Sequence, residues 1–380
     1  MACFDECKHK AISIKTNKKG FYEVSVDSHK CKECGLCEAV CPIINVPQTK
    51  NYMPTAYIGW SLSDENLLNS ASGGIFIELA SAFLKTFNNS VVYGAIWNKD
   101  NELVLHKYTE NLGDLMQFQN SKYLQSNMQG VYNSIKEHLR NSYNVLFSGT
   151  PCQVAALTNF IPNKLKKNLY TIEIICHGVP SFSLLENSKT FYNATKLESF
   201  RTKKDGWLNS QKCTYISVNK KITPHKGYDI FYNMYASEYF LRPACTHCIF
   251  ASIPRKADIT IGDYWGDKEK RNEKGTSLFY LNNIHAKDII RIANIYKQKT
   301  DFYESLLSQS RISCNLYAHL EHFPRIFWIK EFIKGKKGNL LYKIYFRIWN
   351  EFIKRAQKNK NEKIKKAIKE YEKNRNHYNS

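Results

Sequence analysis

The chain reads as two unlike folds in series. A small α+β module covers residues 1–50, and an α/β domain with a mixed or mostly parallel sheet covers 55–330. A basic helical tail over 331–380 closes it. Three observations carry this reading. Six of the twelve cysteines fall within the first 41 residues, at metal-ligand spacing. From residue 55 onward, strand-like apolar runs alternate with helical periodicity, the pattern of a sheet with crossover helices. From Lys330 onward the composition shifts to sixteen Lys and Arg against five Glu.

The module is organised by Cys31, Cys34, Cys37, Cys41 and Pro42, in the order C-x2-C-x2-C-x3-C-P. Three thiolates on one tight loop can wrap three corners of an iron–sulfur cube. Gly35 lets the backbone bend around it, and Pro42 stops the chain re-entering a helix. In two-cluster ferredoxins the fourth cysteine of such a run serves the other cluster. A partner run is close by, because Cys3 and Cys7 match its last two positions. Between the runs, Ile12 and Ile14, a turn at Asn17 to Gly20, then Val24 and Val26 predict a hairpin.

Residues 1–50 therefore read as a 4Fe–4S ferredoxin-type domain. Cys7, Cys31, Cys34 and Cys37 would hold one complete cluster. Cys3 and Cys41 would serve a second, half-liganded as given. The run's own spacing puts the nearer missing cysteine just before Met1, so the sequence is expected to start late. The alternative is a naturally degenerate one-cluster module, which Lys8, standing where a Pro would follow the last Cys, also suits. Zinc sites favour paired CxxC units or Cys/His mixtures at wider spacing, and four core cysteines would not fall in this register.

Hydrophobic content of 43% with 13% aromatic residues is that of a globular protein. The opening residues lack the charged and apolar segments of a signal peptide, and no apolar run reaches membrane-spanning length. A reducing, cytoplasmic setting is expected, where thiolates stay free for metal. Of the net charge of +21, the stretch from Lys330 supplies +11. The remaining body has no Arg-rich strip interleaved with aromatics, and bound clusters would be anions themselves. No nucleic-acid partner is expected.

In the second domain, Val46-Pro47 to Met53-Pro54 reads as a linker and Ala56 to Trp60 as a strand. Ser70-Ala71-Ser72-Gly73-Gly74 leads into a helix from Ile75. Such a start offers free N–H donors to a phosphate, although Ser and Gly cap many helices. Val91 to Trp97 and Leu103 to Tyr108 read as paired strands, Val131 to Leu139 as a helix, and Asn144 to Phe147 as a buried strand. That strand runs into Ser148-Gly149-Thr150-Pro151-Cys152, the kind of strand–loop–helix junction where open α/β sheets place their sites. A cysteine at a helix start is suited to be a nucleophile or a ligand.

The pattern recurs at Thr171 to Ile175, which ends in Cys176-His177. Neighbouring parallel strands lie about 5 Å apart, so both thiols could reach one cluster. Cys245 and Cys248 supply a CxxC before the strand Ala257 to Ile261. Cys152, Cys176, Cys245 and Cys248 are enough for an inner 4Fe–4S cluster. Equally by spacing, the first two are core or catalytic thiols and the CxxC is redox-active or holds zinc. His177 and His247 read as supporting groups, Cys213 and Cys314 as ordinary buried cysteines. Ser277 to Leu281 reads as extended and Ile284 to Tyr296 as helical. In the tail, Leu341, Ile344, Tyr345, Ile348 and Phe352 recur at helical spacing. Such a basic amphipathic helix can make peripheral contact with an anionic membrane, or dock its apolar stripe on the domain. Docking is favoured for its first part.

Taken together these stretches resemble the beta-subunit family of coenzyme F420 hydrogenases and dehydrogenases. The matching segments are CKECGLCEAVCPIIN, SASGGIF, SKYLQS, VLFSGTPCQVAAL, IICHGVPS, FRTKKDGW and the stretch from Arg242 through CTHC to PRKADITIGDYWG. The resemblance implies an iron–sulfur flavoprotein oxidoreductase that binds FAD. Its flavin contacts are then expected at Ser72, Gly73, Gly74, Lys122, Gly149 and Thr150, with Arg242 and Arg255 as further partners for anionic groups. Electrons would pass from a ferredoxin or other redox partner protein through 4Fe–4S clusters to FAD. From there they would reach a small-molecule substrate, in polysaccharide biosynthesis or F420-type chemistry. The alternative is a non-catalytic electron-transfer subunit of a larger redox complex.

Overall fold

The computed structural model describes residues 1–48 and 54–309, apart from 219, 237 and 239. The expected tail, most of the second half of the linker and Cys314 lie outside the described residues. Among the described residues no helix is long and apolar enough to cross a membrane.

The first 48 residues form α1 (Ala2–Glu6), a hairpin of β1 (Ile12–Thr16) and β2 (Tyr22–Val26), and α2 (Leu36–Ala39). The hairpin is the expected one, with Ile12 opposite Val26. Asn17 makes its turn by accepting the N–H groups of Lys19 and Phe21 at 3.0 and 3.1 Å. This module is not held off on a linker. Ala2 and Val40 lie in the same buried cluster as Tyr132, Val154 and Phe160 of the larger domain.

The larger domain holds an eight-stranded sheet. Its elements, in chain order, begin with β3 (Thr55–Ser61), α3 (Asp64–Asn69), α4 (Ile75–Thr86), β4 (Ser90–Asn98), β5 (Leu103–Thr109) and α5 (Val131–Arg140). They continue with β6 (Asn144–Gly149), α6 (Pro151–Phe160), β7 (Leu169–Ile174), α7 (Phe182–Tyr192), β8 (Lys196–Ser199), β9 (Thr214–Ile216) and β10 (Lys221–Ile222). Then come α8 (Ile230–Ala236), α9 (Pro243–Thr246), β11 (Ile259–Asp263), β12 (Ser277–Leu281), α10 (His285–Ile292), β13 (Ile295–Lys299) and α11 (Phe302–Ser308).

The strand order is β13-β3-β12-β11-β7-β6-β4-β5. β4, β6, β7 and β11 run parallel, and β12, β13 and β5 are antiparallel to their neighbours. Adjacent residues of the central strands belong to different cores. Val91, Val145 and Phe147 pack with α5 and α6, while Val92, Leu146 and Ile172 pack with α4 and α10. A sheet covered on both faces needs apolar residues on both, which is why these strands read as continuous apolar runs.

Two features depart from the sequence expectation. The helix expected to reach Tyr296 stops at Ile292, and Ile295–Lys299 pairs with β3 as an edge strand. Only Ile295 of that strand is buried and two of its five residues are Lys, so neither period two nor an apolar run marks it. The second departure is a separate sheet of β8, β9 and β10, only four, three and two residues long. Leu184, Leu197, Phe200, Tyr215 and Phe231 give it a core of its own.

Candidate cluster and flavin site

The N-terminal cysteines are positioned by the hairpin. Ala11 accepts the N–H of Asp27 at 2.8 Å, extending the ladder past Ile12 and Val26. Cys7 and Cys31 therefore leave the same end of the hairpin, each five residues from that pair. The Cys7 sulfur accepts the Ala11 N–H at 3.3 Å, and the Asp27 carbonyl takes the Cys31 N–H at 3.0 Å. Gly35, at φ +71°, turns the loop into α2, which carries Cys37. Burial, ahead of the charges of Glu38 and Cys3, pushes the Cys37 thiol up. The Asp5 carboxylate fastens the module by accepting the Gly130 and Tyr132 N–H groups, at 2.7 and 2.9 Å, at the start of α5. Negative charge belongs at that helix end.

The other four thiols meet at the C-terminal edge of the sheet. β6 ends at Gly149, and Thr150 and Gln153 close a capping box around Pro151 that starts α6 with Cys152 in its first turn. β7 lies beside β6, with Glu173 opposite Gly149, and delivers Cys176 two residues past its end. The next stretch is paired to the segment before the CxxC. Pro180 bridges Leu241, and Val179 accepts the Arg242 N–H at 2.9 Å. Gly178, at φ +115°, leaves so little room that a Cβ there would stand 3.2 Å from that of Cys245. Burial pushes the Cys176 thiol up, and Cys245, Cys152 and Cys248 add to the shift. Cys245 rises to about 11, again by burial first, with Cys152 and Cys248 adding and Arg242 opposing. Arg255 likewise opposes the rise at Cys248. Thiols brought this close, with Arg242 acting on Cys245 and Arg255 on Cys248, form a donor set suited to an anionic cluster.

Among the described residues, no three His, Cys, Asp or Glu converge closely enough for a single metal ion. A cube holds its thiolates around a body instead of a point. His177 faces Glu238 at 3.6 Å and His247 bonds Thr246 at 3.0 Å. Cys213 is buried in the small-sheet core, as expected.

The residues expected around a flavin fare differently. Gly73 donates its N–H to the Ser277 hydroxyl at 2.9 Å, and Ser72 donates its hydroxyl to the Thr276 carbonyl at 2.8 Å. A Cβ on Gly73 would stand 2.4 Å from the Gly59 carbonyl oxygen and 2.7 Å from the Ser277 nitrogen. The glycine is there so that the loop can press between β3 and β12, and its donor is already spent. Gly74, at φ +76°, makes the turn into α4. A Cβ on Gly149 would strike the Phe147 ring at 2.9 Å. Thr150 spends its N–H on Gln153 at 2.8 Å. Gly73→Ala is expected to cost about 3 kcal/mol, since backbone on both sides must move. Gly113→Ala, where a Cβ meets nothing within 4 Å, is the near-neutral control in the same thermal unfolding series.

Lys122 does sit at this edge. Its Nζ donates to the carbonyls of Gln119 and Gln117 at 2.7 and 3.2 Å, and burial pulls it down to about 7. Its companions carry no motif that the sequence reveals. Lys203 bonds the Leu67 and Ser72 carbonyls and also falls to about 7, by burial with Arg201 adding. Arg201 pairs with Asp263 at 2.8 Å. Burial is the largest influence and works against the Arg201 charge, but Asp263 with Tyr123 and Tyr232 together outweigh it and hold the guanidinium above its ordinary value. Trp207 stacks on Trp265 with centroids 5.0 Å apart. Arg201 Nη2, Asp263 Oδ1 and Trp207 Nε1 are buried without a hydrogen-bond partner. The two orphaned donors suit an acceptor or anionic group of a ligand, and the orphaned Asp263 oxygen suits a donor on it. Arg255, by contrast, is committed to Glu173 in the core and is not free for a substrate.

His106 is the other residue that sequence reasoning missed. Its Nε2 meets the Ser148 carbonyl at 3.0 Å and its Nδ1 the Ser126 hydroxyl at 2.9 Å. Burial lowers it to about 4, with Lys122 adding and the Ser148 bond opposing. The unfolded chain, with a histidine pKa of about 6.5, therefore takes up the proton first as pH falls. Stability present above about pH 6.5 is lost progressively toward pH 4, by roughly 2 kcal/mol between about pH 7.5 and 5. Asp229, which burial raises to about 6, tilts the curve the other way, so the readout is the difference between wild type and His106→Gln. The variant is expected to lose less thermal stability on acidification; equal slopes would contradict this account.

Residues 143–300 match the family model for the C terminus of the coenzyme F420 hydrogenase/dehydrogenase beta subunit. Residues 1–44 match that of a 4Fe-4S dicluster domain. The chain carries an F420 hydrogenase/dehydrogenase beta-subunit domain behind a dicluster domain. Iron–sulfur binding and electron transfer follow for the N-terminal part. The beta-subunit segment spans all four inner thiols, Arg201, Lys203 and Asp263, whereas His106, Lys122 and the Ser72–Gly74 loop precede it. One solved structure, a xenon derivative of the F420-reducing NiFe hydrogenase complex from Methanosarcina barkeri, aligns over 84% of this chain and 92% of its own, at 16% identity and a TM-score of 0.46. No curated protein matches the sequence.

Proposed function

We propose that the protein is an iron–sulfur flavoprotein oxidoreductase with a dicluster domain at 1–50 and a cluster- and FAD-binding domain at 55–330. The observation that carries it is the approach of Cys152, Cys176, Cys245 and Cys248 at the strand ends of a domain that also buries the basic side chains of Lys122, Lys203 and Arg201. Cys7, Cys31, Cys34 and Cys37 are the proposed ligands of the N-terminal cluster, with Cys3 and Cys41 serving a second. When bound, clusters handle single electrons, and flavin converts them to two-electron chemistry. The chain's own residues do the rest. Arg242 compensates thiolate charge at the inner site, while the charge of Arg255 is taken by Glu173, and Lys122 and Lys203, when protonated, favour anionic groups. The orphaned Arg201 Nη2, Asp263 Oδ1 and Trp207 Nε1 orient a polar ring or substrate. A ferredoxin-like protein is the proposed donor.

The alternative, an electron-transfer subunit without its own substrate, draws support from Ile43 and Ile44. These lie beside Cys41 and are each 61% exposed, as a protein-docking surface requires. Anaerobic flavin extraction from the purified chain, followed by reduction with a low-potential ferredoxin, separates the two. The proposal expects bound flavin that the ferredoxin reduces. A chain without flavin that still passes electrons to a partner would replace it with the second reading.

A further inference from the structure

We propose that the Thr150 hydroxyl donates a hydrogen bond to the Cys152 thiolate and so raises the reduction potential of the cluster held by Cys152, Cys176, Cys245 and Cys248. The inference rests on the inner-cluster reading above. Thr150 Oγ1 lies 3.2 Å from Cys152 Sγ and 3.0 Å from Gln153 Oε1. A hydroxyl has one proton to give, so the question is which of these two acceptors receives it.

The polar chain behind Gln153 answers. The Ser148 carbonyl can only accept, so His106 Nε2 carries the proton that meets it. His106 Nδ1 is then an acceptor, and the Ser126 hydroxyl must donate to it. The Ser126 oxygen is left to accept from Gln153 Nε2 at 2.8 Å. This fixes the Gln153 amide with Oε1 toward Thr150, where the Thr150 N–H already satisfies it at 2.8 Å. The Thr150 hydroxyl is therefore free to turn without stranding a buried acceptor. A neutral thiol could donate to Thr150, but a thiolate can only accept. Formation of the cluster ligand makes the sulfur the stronger acceptor, and the proton goes to it.

A hydrogen bond to a ligating sulfur draws electron density from the cluster and favours its reduced form. Cys176 has a comparable bond from the Gly178 N–H at 3.4 Å. That one belongs to the backbone, whereas the one at Cys152 can be removed by substitution. On reduction one electron enters the cluster from a one-electron donor. No bond breaks, and the proton stays on the Thr150 oxygen.

The test is an anaerobic, EPR-monitored redox titration of the full chain with Thr150→Val, Thr150→Ala and Thr150→Ser. Iron is counted in each, and the inner signal is identified by its loss in Cys245→Ser/Cys248→Ser. Thr150→Val and Thr150→Ala are expected to shift the inner midpoint down by the equivalent of about tenfold in the reduced-to-oxidised ratio, about 59 mV for one electron. Thr150→Ser should keep it, and the N-terminal signal should move in none of them. An unchanged inner midpoint in both hydroxyl-free variants overturns the proposal. Loss of inner iron from both, with Thr150→Ser intact, also overturns it, because the hydroxyl would then be a condition of assembly and not a setting of potential. A wild-type chain with no inner signal defeats the cluster reading itself, a separate result.

Discussion

Changing Cys245 and Cys248 together to serine removes about four iron atoms per chain and leaves the N-terminal signal in place. The expectation follows from how the four inner thiols are held. Cys152 and Cys176 come from adjacent strand ends, and Cys245 is fixed by the pairing of 179–180 with 241–242. Serine matches cysteine in shape, so the segment keeps its backbone bonds. The N-terminal module is seated on the domain through other residues, among them Ala2, Val40 and Asp5, which these substitutions do not change. Cys213→Ser is the control, since Cys213 sits in the small-sheet core away from these thiols and should cost stability without costing iron. Iron analysis with EPR reads both. Unchanged iron in the double variant would mean that the inner thiols are not ligands.

Arg255→Met is expected to destabilise the chain by about 3–5 kcal/mol, because it leaves a carboxylate buried and alone. Glu173 is fully buried on β7, and its Oε1 takes both Arg255 Nε and the Thr260 hydroxyl. Arg255 also gives its Nη1 to the Phe250 carbonyl at 3.1 Å, which braces the loop after the CxxC. Removing both charges, as Arg255→Met/Glu173→Leu, should restore much of the loss, since the desolvation cost goes with them. Thermal unfolding of the two variants decides the matter. If the double variant were as unstable as the single one, the loss would come from packing and not from the stranded charge.

Much of the scaffold was legible because its periodicity was strong. The hairpin between the cysteine runs, the strands at 55–61, 90–98 and 144–149, and the helices at 75–86 and 131–140 all carry runs of apolar residues long enough to show their period. The edge strand at 295–299 and the three-stranded sheet do not, since their pairing is set by tertiary contact and not by local pattern. The positions of the inner thiols were readable because each follows a recognisable strand end or lies in a CxxC; their grouping as ligands remains the proposal. Their surroundings were not readable. Arg201 finds Asp263, and Trp207 finds Trp265, across about sixty residues of sequence. His106 carries no motif at all, and its role depends on Ser126, Ser148 and Gln153 arriving from other elements.

The glycines after Ser72 show one sequence pattern serving two ends. A Ser/Gly-rich helix start satisfies the sequence pattern for phosphate binding and also for close backbone packing. The Ser277 hydroxyl on the Gly73 N–H shows the packing role at that position. Arg255 taught the same lesson, since a basic residue near a site is a ligand contact only when no buried acid claims it first.

Metal content is the deciding quantity. Native mass spectrometry of the anaerobically purified chain, with iron and acid-labile sulfide determined on the same sample, tests it most directly. At least about eight iron and eight sulfide per chain are expected, four of each for each of two complete thiolate sets. A chain carrying only one four-iron cube, or zinc at the inner thiols, would contradict it.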